Sequence, residues 1–398
     1  MKLRSRYLAL LGALALSIVT AQTAVAADQN TLTPAELNDG WILLFDGASM
    51  FGWEVGSKAT WKVIDGTLTA VEGEKGLLAT TSEFADYELK VDFKPGEKTN
   101  SGVFLRTLLQ PTSAAVNCYE LNIGTEEVTP YFTGSFVDRV KAKPYTFHEG
   151  WHTFEVKAEG AHFVVKLDGK EVLDYTDPKP IPRGRIGLQI NQGPIAFRNV
   201  KLRPLSLKPI FNGKDLSGWK VHSDKKSVFS VTPEGALNVK NGAGQIESEG
   251  QYGDFVLQLD IFSNGKFLNS GIFFRNMPGG HWQGYESQIQ NGFLADRALP
   301  MDFGTGGIYR RQKARKVVPN DFEWFHKTLV VSGPHMAVWV NGYQVSDFTD
   351  TRPANENARD GLRLKAGTLA IQGHDPTTDL SFRNIRITET KPFVAPAE

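Results

Sequence analysis

The chain has 398 residues, which is long for one core and favours two domains. Its 44 Lys and Arg balance 44 Asp and Glu, and this argues against nucleic acid or an anionic membrane as the main partner, because phosphate binding needs a basic surface. Cys118 is the only cysteine, so no intrachain disulfide can form and each domain must be held by an apolar core.

Residues 1–26 are predicted to be a signal peptide rather than part of the fold. "MKLRSRY" is a basic segment, "LALLGALALSIV" is an apolar run that is short for a membrane span, and "AVA" before Ala27 fits a cleavage site. No cysteine follows the apolar run, which argues against lipid attachment. We therefore expect a periplasmic or secreted protein with no membrane span once the signal is removed.

After the leader, one short helix and then many strands are predicted. Thr33 is a candidate N-cap, Pro34 stands at the first helical position and Gly40 ends the helix. Beyond it, short alternating segments such as "YELKVDFK", "HFVVKLDG", "FVLQLDIF" and "MAVWVNG" dominate. Such runs, broken by Gly, Pro and Asn, predict an antiparallel β-sandwich. Asp168-Gly169 and Asn341-Gly342 are signals for type I′ hairpin turns.

Five landmarks occur twice in the same order. "FDGASMFGW" returns as "FNGKDLSGW", "NSGVFLR" as "NSGIFFR", and "YELNI" as "YESQI", while "GWHTFEV" and "IGLQINQGPIAFRNV" also have counterparts. The offset is 166 residues, from Phe45 to Phe211, which is too long for a solenoid repeat and indicates a duplicated domain. We predict domains at 38–205 and 206–390. The joint "RPLSLKP" is too short for a flexible tether, so we expect the copies to pack together.

In the second copy, alternation along the strands separates an apolar face from a polar one. Apolar side chains such as Ile272 and Ile371 are expected between the sheets. The polar side chains are expected to converge on one outer sheet face, with Trp282 and Tyr309 near enough to stack on a sugar ring; the alternative is a solvated face with structural hydrogen bonds. The converging set is Arg275, Glu286, Gln288, Gln290, Gln372 and His374.

The same division in the first copy leaves a poorer set. Arg106, Glu120 and Gln189 keep the Arg, Glu and Gln of the second copy, but Asn191 takes the place of His374. Asn cannot exchange a proton near neutral pH, whereas His can. The second copy is therefore expected to hold the better-equipped site.

Taken together, "LFDGxxxxGW", "NSGxFxR", "YExQI", "GxIY" and the final "FRNI" resemble the 3-keto-disaccharide hydrolase domain family, over both halves of the chain. The resemblance implies an all-β fold of two tandem concanavalin-like jelly-roll β-sandwich domains in an exported bacterial protein that handles 3-keto-glycosides. The family pattern also includes "LQxH", which reads "IQGH" in the second copy; the first copy lacks this His, which makes it less secure as a catalyst.

A ketone at C3 of a glycoside acidifies the hydrogen on C2. A base can remove that proton, the oxygen on C1 leaves by elimination, and water can add to the enone, for a net hydrolysis. We expect His374 to be the base or to hold a metal, with Glu286 as competing base, metal ligand or ion-pair partner of Arg275. Arg275 would stabilise the enolate. The expected substrate-binding residues are Gln288, Gln372, Trp282, Tyr309, Arg106, Glu120 and Gln189.

No spacing fixes a metal, although a divalent cation would suit His and carboxylates on one face. The chain has no dinucleotide fingerprint, so we expect a separate oxidoreductase to supply the keto group. Two alternatives remain open. One is a non-catalytic tandem carbohydrate-binding protein, since jelly rolls are common lectin scaffolds. The other, an ordinary glycosidase, needs a close acidic pair, and only Glu286 is expected on the polar face.

Overall fold

A computed structural model describes residues 29–70, 73–125, 127–146, 148–222 and 226–390; the predicted signal peptide lies outside these ranges. Within them the chain is almost entirely β-strand and loop, with one short helix. None of the helices in the described ranges has the length and apolar character needed to cross a membrane. The predicted all-β fold of two tandem jelly-roll sandwiches is confirmed.

The helix α1 spans Pro34–Asn38 and begins where the sequence predicts. The Thr33 hydroxyl accepts a hydrogen bond from the Glu36 backbone N–H at 3.2 Å, and the Glu36 carboxylate accepts one from the Thr33 N–H at 3.0 Å. This reciprocal pair satisfies two N–H groups that a helix start otherwise leaves open. Gly40, at φ +84°, ends the segment.

In its described residues the first domain has thirteen strands in two antiparallel sheets. The larger sheet has the order β11-β10-β9-β6-β13-β4-β3 with β1 added on β13, and the smaller sheet has the order β2-β5-β12-β7-β8. The strands are β1 (Ile42–Leu43), β2 (Trp53–Val55), β3 (Trp61–Ile64), β4 (Thr67–Ala70), β5 (Gly76–Thr80), β6 (Tyr87–Pro95), β7 (Asn100–Thr107), β8 (Tyr119–Ile123), β9 (His152–Glu159), β10 (His162–Leu167), β11 (Lys170–Thr176), β12 (Arg185–Gln192) and β13 (Ile195–Pro204).

The second domain repeats this topology strand for strand. Its larger sheet has the order β16-β17-β26-β19-β22-β23-β24 with β14 added on β26, and its smaller sheet has the order β15-β18-β25-β20-β21. The strands are β14 (Lys208–Pro209), β15 (Trp219–Val221), β16 (Val228–Val231), β17 (Leu237–Lys240), β18 (Gly244–Tyr252), β19 (Phe255–Ser263), β20 (Ser270–Asn276), β21 (Tyr285–Ile289), β22 (Trp324–Ser332), β23 (His335–Val340), β24 (Tyr343–Thr349), β25 (Gly367–Gly373) and β26 (Asp379–Glu389).

Both predicted hairpin turns have the backbone that type I′ turns require. Asp168 and Gly169 lie at φ +50° and +77° between β10 and β11, and Asn341 and Gly342 lie at φ +46° and +75° between β23 and β24. Positive φ at both central residues matches the right-handed twist of the flanking strands. The strand register on either side of each turn is thereby fixed.

The core of each sandwich lies between its two sheets, as the alternation predicts. On the smaller sheet of the second domain, Ile272, Tyr285 and Ile371 belong to this core and point away from Phe273 and Gln372. Apolar burial of this kind is the main stabilising contribution to a sandwich without disulfides. The outer face of the smaller sheet is left for polar residues.

The two domains pack directly on each other, as the short joint predicts. Side chains on the far face of the second larger sheet belong to the core cluster of the first domain: Val256, Val330, Ala337 and Trp339. The Trp339 indole donates a hydrogen bond to the Leu43 carbonyl at 2.8 Å. Ion pairs of described residues also cross the interface: Arg315 with Asp46 and Arg183 with Asp254, each at 2.8 Å.

Replacing Trp339 by Ala is expected to lower the free energy of unfolding by about 3–5 kcal/mol, because a fully buried indole is lost from a shared core. Guanidinium denaturation of wild type and variant measures the change. Trp324→Ala is the matched control, since Trp324 is half-buried on an outer face and should cost less. An equal loss in both variants would contradict a shared interdomain core.

Candidate functional site

A cleft of about 350 Å³ lies on the outer face of the smaller sheet in the second domain. Strand β21 supplies Glu286 and Gln288, β25 supplies Gln372, and His374 follows β25 directly. The cleft therefore brings together six of the residues predicted from the sequence: Glu286, Gln288, Gln372, His374, Trp282 and Tyr309. Asn269, His281, Arg310 and Arg359 complete its lining.

Glu286 lies at the base of this cleft and is only 3% exposed. Arg359 donates a hydrogen bond to its carboxylate at 2.7 Å. Burial raises the pKa of Glu286, and the charge and hydrogen bond of Arg359 oppose that rise without cancelling it. A buried carboxyl with a raised pKa can hold or release a proton closer to neutral pH than an exposed one.

Three polar atoms of the cleft are buried without a hydrogen-bond partner among the described residues: Gln288 Oε1, Gln372 Oε1 and Trp282 Nε1. The other end of the Gln288 amide is fixed, because its Nε2 donates to Asn269 at 2.9 Å and to Asp302 at 2.8 Å. Leaving a buried polar group unpaired costs about 1–3 kcal/mol, so such groups indicate a missing partner. Two acceptors and one donor are thus available to a polar ligand.

His374 is oriented by its neighbour in the chain. Its Nδ1 lies 2.8 Å from a carboxylate oxygen of Asp375, which leaves Nε2 as the nitrogen for the cleft. Burial of Asp375 raises its pKa, but hydrogen bonds from Thr377 and His374 outweigh burial and hold the pKa below its usual value. The Trp282 ring lies nearly parallel to the imidazole, with 6.1 Å between centroids. An imidazole held by a carboxylate in this way suits proton transfer.

Arg359 was missed by the sequence analysis and is the cation beside Glu286. It lies in the 17-residue connection between Thr349 and Gly367, where the first domain has only eight residues between Thr176 and Arg185. Its guanidinium lies over the rings of Phe273 and Tyr309, at 5.0 and 5.2 Å from their centroids. Nothing in a polar loop sequence signals that one of its arginines returns to the sheet.

Arg275 does not line the cleft, so its predicted place on the polar face is wrong. A β-bulge shifts the register between Phe273 and Asn276, and Arg275 takes φ +46°. The guanidinium is fully buried and donates to the carbonyls of Gly253, Gly333 and Arg363 and to the carboxylate of Asp254. A residue bound in this way ties loops together and is not available to a substrate.

Arg106, the counterpart of Arg275 in the first domain, is also not on the polar face where the sequence placed it. Arg106 takes φ +47° and is also fully buried, with bonds to the carbonyls of Ala85, Gly160 and Ile181. It is therefore not placed for substrate binding. Glu120 and Gln189 do line a cleft, but a separate one on the first domain. The structure thus divides the predicted residues between two clefts and the interior.

Lys327 lies on the core side of β21, behind the cleft. It is 1% exposed, and its ammonium donates to the Gln288 carbonyl at 2.9 Å and to the Ser287 hydroxyl at 3.2 Å. Burial lowers the pKa of Lys327 to about 7, although the negative charge of Glu286 opposes this. The equivalent strand positions in the first domain hold Phe154 and Leu121, so this cation belongs to the second copy alone.

A grouping of three metal-binding side chains also occurs within the described ranges, but in the first domain. His148, His152 and Asp168 have ligand atoms within 4.8 Å of one another. None of the three lines the second-domain cleft. The divalent cation considered for His374 and Glu286 therefore stays an expectation from the sequence.

The two arginines are predicted to respond differently to substitution. Arg275→Met should lower the free energy of unfolding by about 3–5 kcal/mol, because Asp254 and three carbonyls lose their buried partner. Arg359→Met should destabilise less, because Arg359 is partly exposed and Glu286 can neutralise itself by taking up a proton. Urea denaturation of both variants decides the matter. A larger loss for Arg359→Met would contradict the assignment of Arg275 as the structural arginine.

The buried lysine predicts a pH dependence of stability. Between pH 7 and 10.5 the unfolded chain keeps the Lys327 proton while the folded chain has lost it, so stability rises with pH across this window. From pH 7 to 9 the wild type should gain about 2 kcal/mol relative to Lys327→Met. Denaturation at several pH values measures this difference. Exposed Lys266→Met is the control; a wild-type profile parallel to that of Lys327→Met would show that the lysine does not titrate there.

Comparison with known proteins identifies the family of the chain. The model of the 3-keto-alpha-glucoside-1,2-lyase-like domain matches residues 40–203 and 206–388. Among solved structures, a candidate glycosyl hydrolase from Parabacteroides distasonis is 18% identical, with a TM-score of 0.40, over 45% of this chain and 100% of its own. The carbohydrate binding module CBM66 from Bacillus subtilis is 17% identical, with a TM-score of 0.31, over 38% and 94%. Comparison with proteins of curated function gives no match.

The family match covers both sandwiches and most of the chain. It agrees with the tandem resemblance seen in the sequence and supports a carbohydrate-related function. The chain therefore belongs to the 3-keto-alpha-glucoside-1,2-lyase-like domain family and contains two copies of that domain.

Proposed function

We propose that the second-domain cleft cleaves the glycosidic bond of 3-keto-glycosides or 3-keto-disaccharides by elimination and hydration. The observation that carries this proposal is the meeting of an oriented imidazole, a buried carboxyl and unpaired amide oxygens in one cleft of about 350 Å³. The family supplies the substrate class. The signal peptide predicted at residues 1–26 supports action outside the cytoplasm, and the keto group would come from a separate oxidoreductase.

In this mechanism His374 Nε2 removes the proton from C2, which the neighbouring ketone has acidified. The negative charge moves to the oxygen on C3, where Arg359 and Arg310 are the cations that line the cleft. Glu286, whose protonated form is favoured by burial, gives its proton to the oxygen that leaves C1. The bond between C1 and that oxygen breaks, and a C1–C2 double bond forms.

Hydration then runs these steps in reverse, with water in place of the group that left C1. Glu286, now a carboxylate, takes a proton from water as the oxygen of water bonds to C1. His374 returns its proton to C2, and both residues regain their starting state. The Gln288 and Gln372 oxygens would accept hydrogen bonds from sugar hydroxyls, and the Trp282 indole would donate one. The sum is one glycosidic bond hydrolysed by one water.

His374→Ala is expected to reduce turnover about 10²–10⁴-fold on every 3-keto-glycoside, because the base is needed whatever group leaves. Glu286→Gln should reduce turnover strongly on a 3-keto-disaccharide but much less on a 4-nitrophenyl 3-keto-glucoside, because nitrophenolate leaves without a proton. Release of sugar or nitrophenolate, from both anomers, measures the rates. Exposed Glu249→Gln is the matched control. The opposite pattern would make Glu286 the base.

Deuterium from the solvent distinguishes elimination and hydration from direct displacement at C1. In D₂O, elimination followed by hydration places deuterium on C2 of the keto sugar, whereas direct displacement at C1 leaves the original hydrogen there. Product NMR, compared with authentic keto sugar kept in the same buffer, reads the label. Unlabelled product would overturn the elimination route, and no product from either substrate would overturn the enzyme proposal.

A second candidate function is a tandem carbohydrate-binding protein without catalysis. The observation that favours it is the presence of a cleft at the same place on the first domain, where Glu120 and Gln189 occupy the positions of Glu286 and Gln372. Under this alternative, wild type and His374→Ala would bind sugar alike and neither would turn it over.

A further inference from the structure

The first-domain cleft has a volume of about 420 Å³ and lies on the outer face of the smaller sheet. The strand register places Glu120 opposite Phe104, as Glu286 stands opposite Phe273 in the second domain. Gln189 on β12 likewise corresponds to Gln372 on β25. The loop between β7 and β8 forms one wall, and its Gln110 amide is anchored on the Gly56 carbonyl at 2.8 Å.

A polar pair at the base of this cleft is incompletely satisfied. Gln189 is 1% exposed, and its Nε2 donates to a Glu120 carboxylate oxygen at 3.1 Å. Its Oε1 is buried and has no hydrogen-bond partner among the described residues. Since a buried amide oxygen of this kind is rarely left unpaired, it calls for a donor from a ligand. Burial raises the pKa of Glu120, although Lys75 and the Gln189 hydrogen bond oppose the rise.

The rest of the base is apolar, unlike the second cleft. Leu77, Phe104 and Cys118 form a small cluster separate from the core of the sandwich. The position of Leu77 is held in the second domain by Gln245. A pyranose ring offers both chemistries at once, with hydroxyls around its edge and a C–H face that packs on apolar side chains.

The groups assigned to chemistry in the second cleft are missing here. Asn191 replaces His374, Val137 replaces Tyr309 at the backbone position that donates to the Glu carbonyl, and the short connection after Thr176 brings no counterpart of Arg359. The described lining of the first cleft contains neither histidine nor arginine. The amide and the carboxylate are kept and Lys75 is the cation of the described lining, whereas the histidine base and the two arginines have no counterpart there.

We propose that the first-domain cleft binds a pyranose unit of a carbohydrate without cleaving it. The choice of ligand class rests on the proposed function of the second domain, but the site itself rests on Gln189, Glu120 and the apolar cluster. Ring hydroxyls donate to Gln189 Oε1 and the Glu120 carboxylate, while the ring face covers Leu77 and Phe104. The protein thereby holds two sugar sites of unlike chemistry on one chain.

Calorimetric titration of the whole protein with unoxidised maltose tests this, because maltose has no acidified C2 hydrogen and is not consumed. Wild type should bind two equivalents. Gln189→Leu should weaken one site about 5- to 10-fold, the loss of one neutral hydrogen bond, and leave the other unchanged. Gln372→Leu should do the reverse. Exposed Gln192→Leu, on the same strand as Gln189, is the matched control, and thermal melting shows that every variant folds.

The outcomes separate the two proposals. Two sites, each weakened by one variant, support both. One site that only Gln372→Leu weakens overturns the first-domain inference and leaves the proposed function intact. One site that only Gln189→Leu weakens supports the inference and counts against sugar binding in the second domain. No binding at millimolar maltose overturns the first-domain site, while the turnover of 3-keto-glycosides still judges the second domain on its own.

Discussion

The alternation of side chains along the smaller sheets is the constraint on which the rest of the structure depends. One face of each sheet must pack on the core, because apolar burial is the main contribution that stabilises each sandwich. Glu286 and Gln288 then necessarily share the other face of β21, since Tyr285 and Ile289 are needed inside. The polar side chains of the cleft are thus those that the packing of the core directs to the outer face of the sheet.

This constraint explains how much could be predicted from the sequence. The all-β tandem fold, the helix start and the hairpin turns were predicted because they depend on local periodicity and on turn residues. The gathering of Glu286, Gln288, Gln372 and His374 in one cleft also followed from alternation. Their roles, the domain bounds at 38–205 and 206–390, the export and the oxidoreductase remain predictions.

The failures have equally physical causes. Arg275 and Arg106 were placed on the wrong face because a bulge interrupts the alternation at each, and an arginine at positive φ gives no warning in the sequence. Arg359 could not be predicted because its contact with Glu286 joins residues 73 positions apart through an irregular loop. The sequence around Lys327 does not distinguish it from a lysine on the exposed face of a strand. Only the packing shows that it faces inward and binds the backbone behind the cleft.

The interface between the domains has a consequence for the history of the chain. A duplicated domain is ordinarily a spare that can drift or be deleted. Here Asp254 of the second copy holds both its own Arg275 and Arg183 of the first, and Trp339 completes the neighbour's interior. Each copy therefore supplies side chains that stabilise the other. Loss of the first copy would expose Trp339 and leave Asp254 without Arg183, so the interface alone is a reason for both copies to be retained.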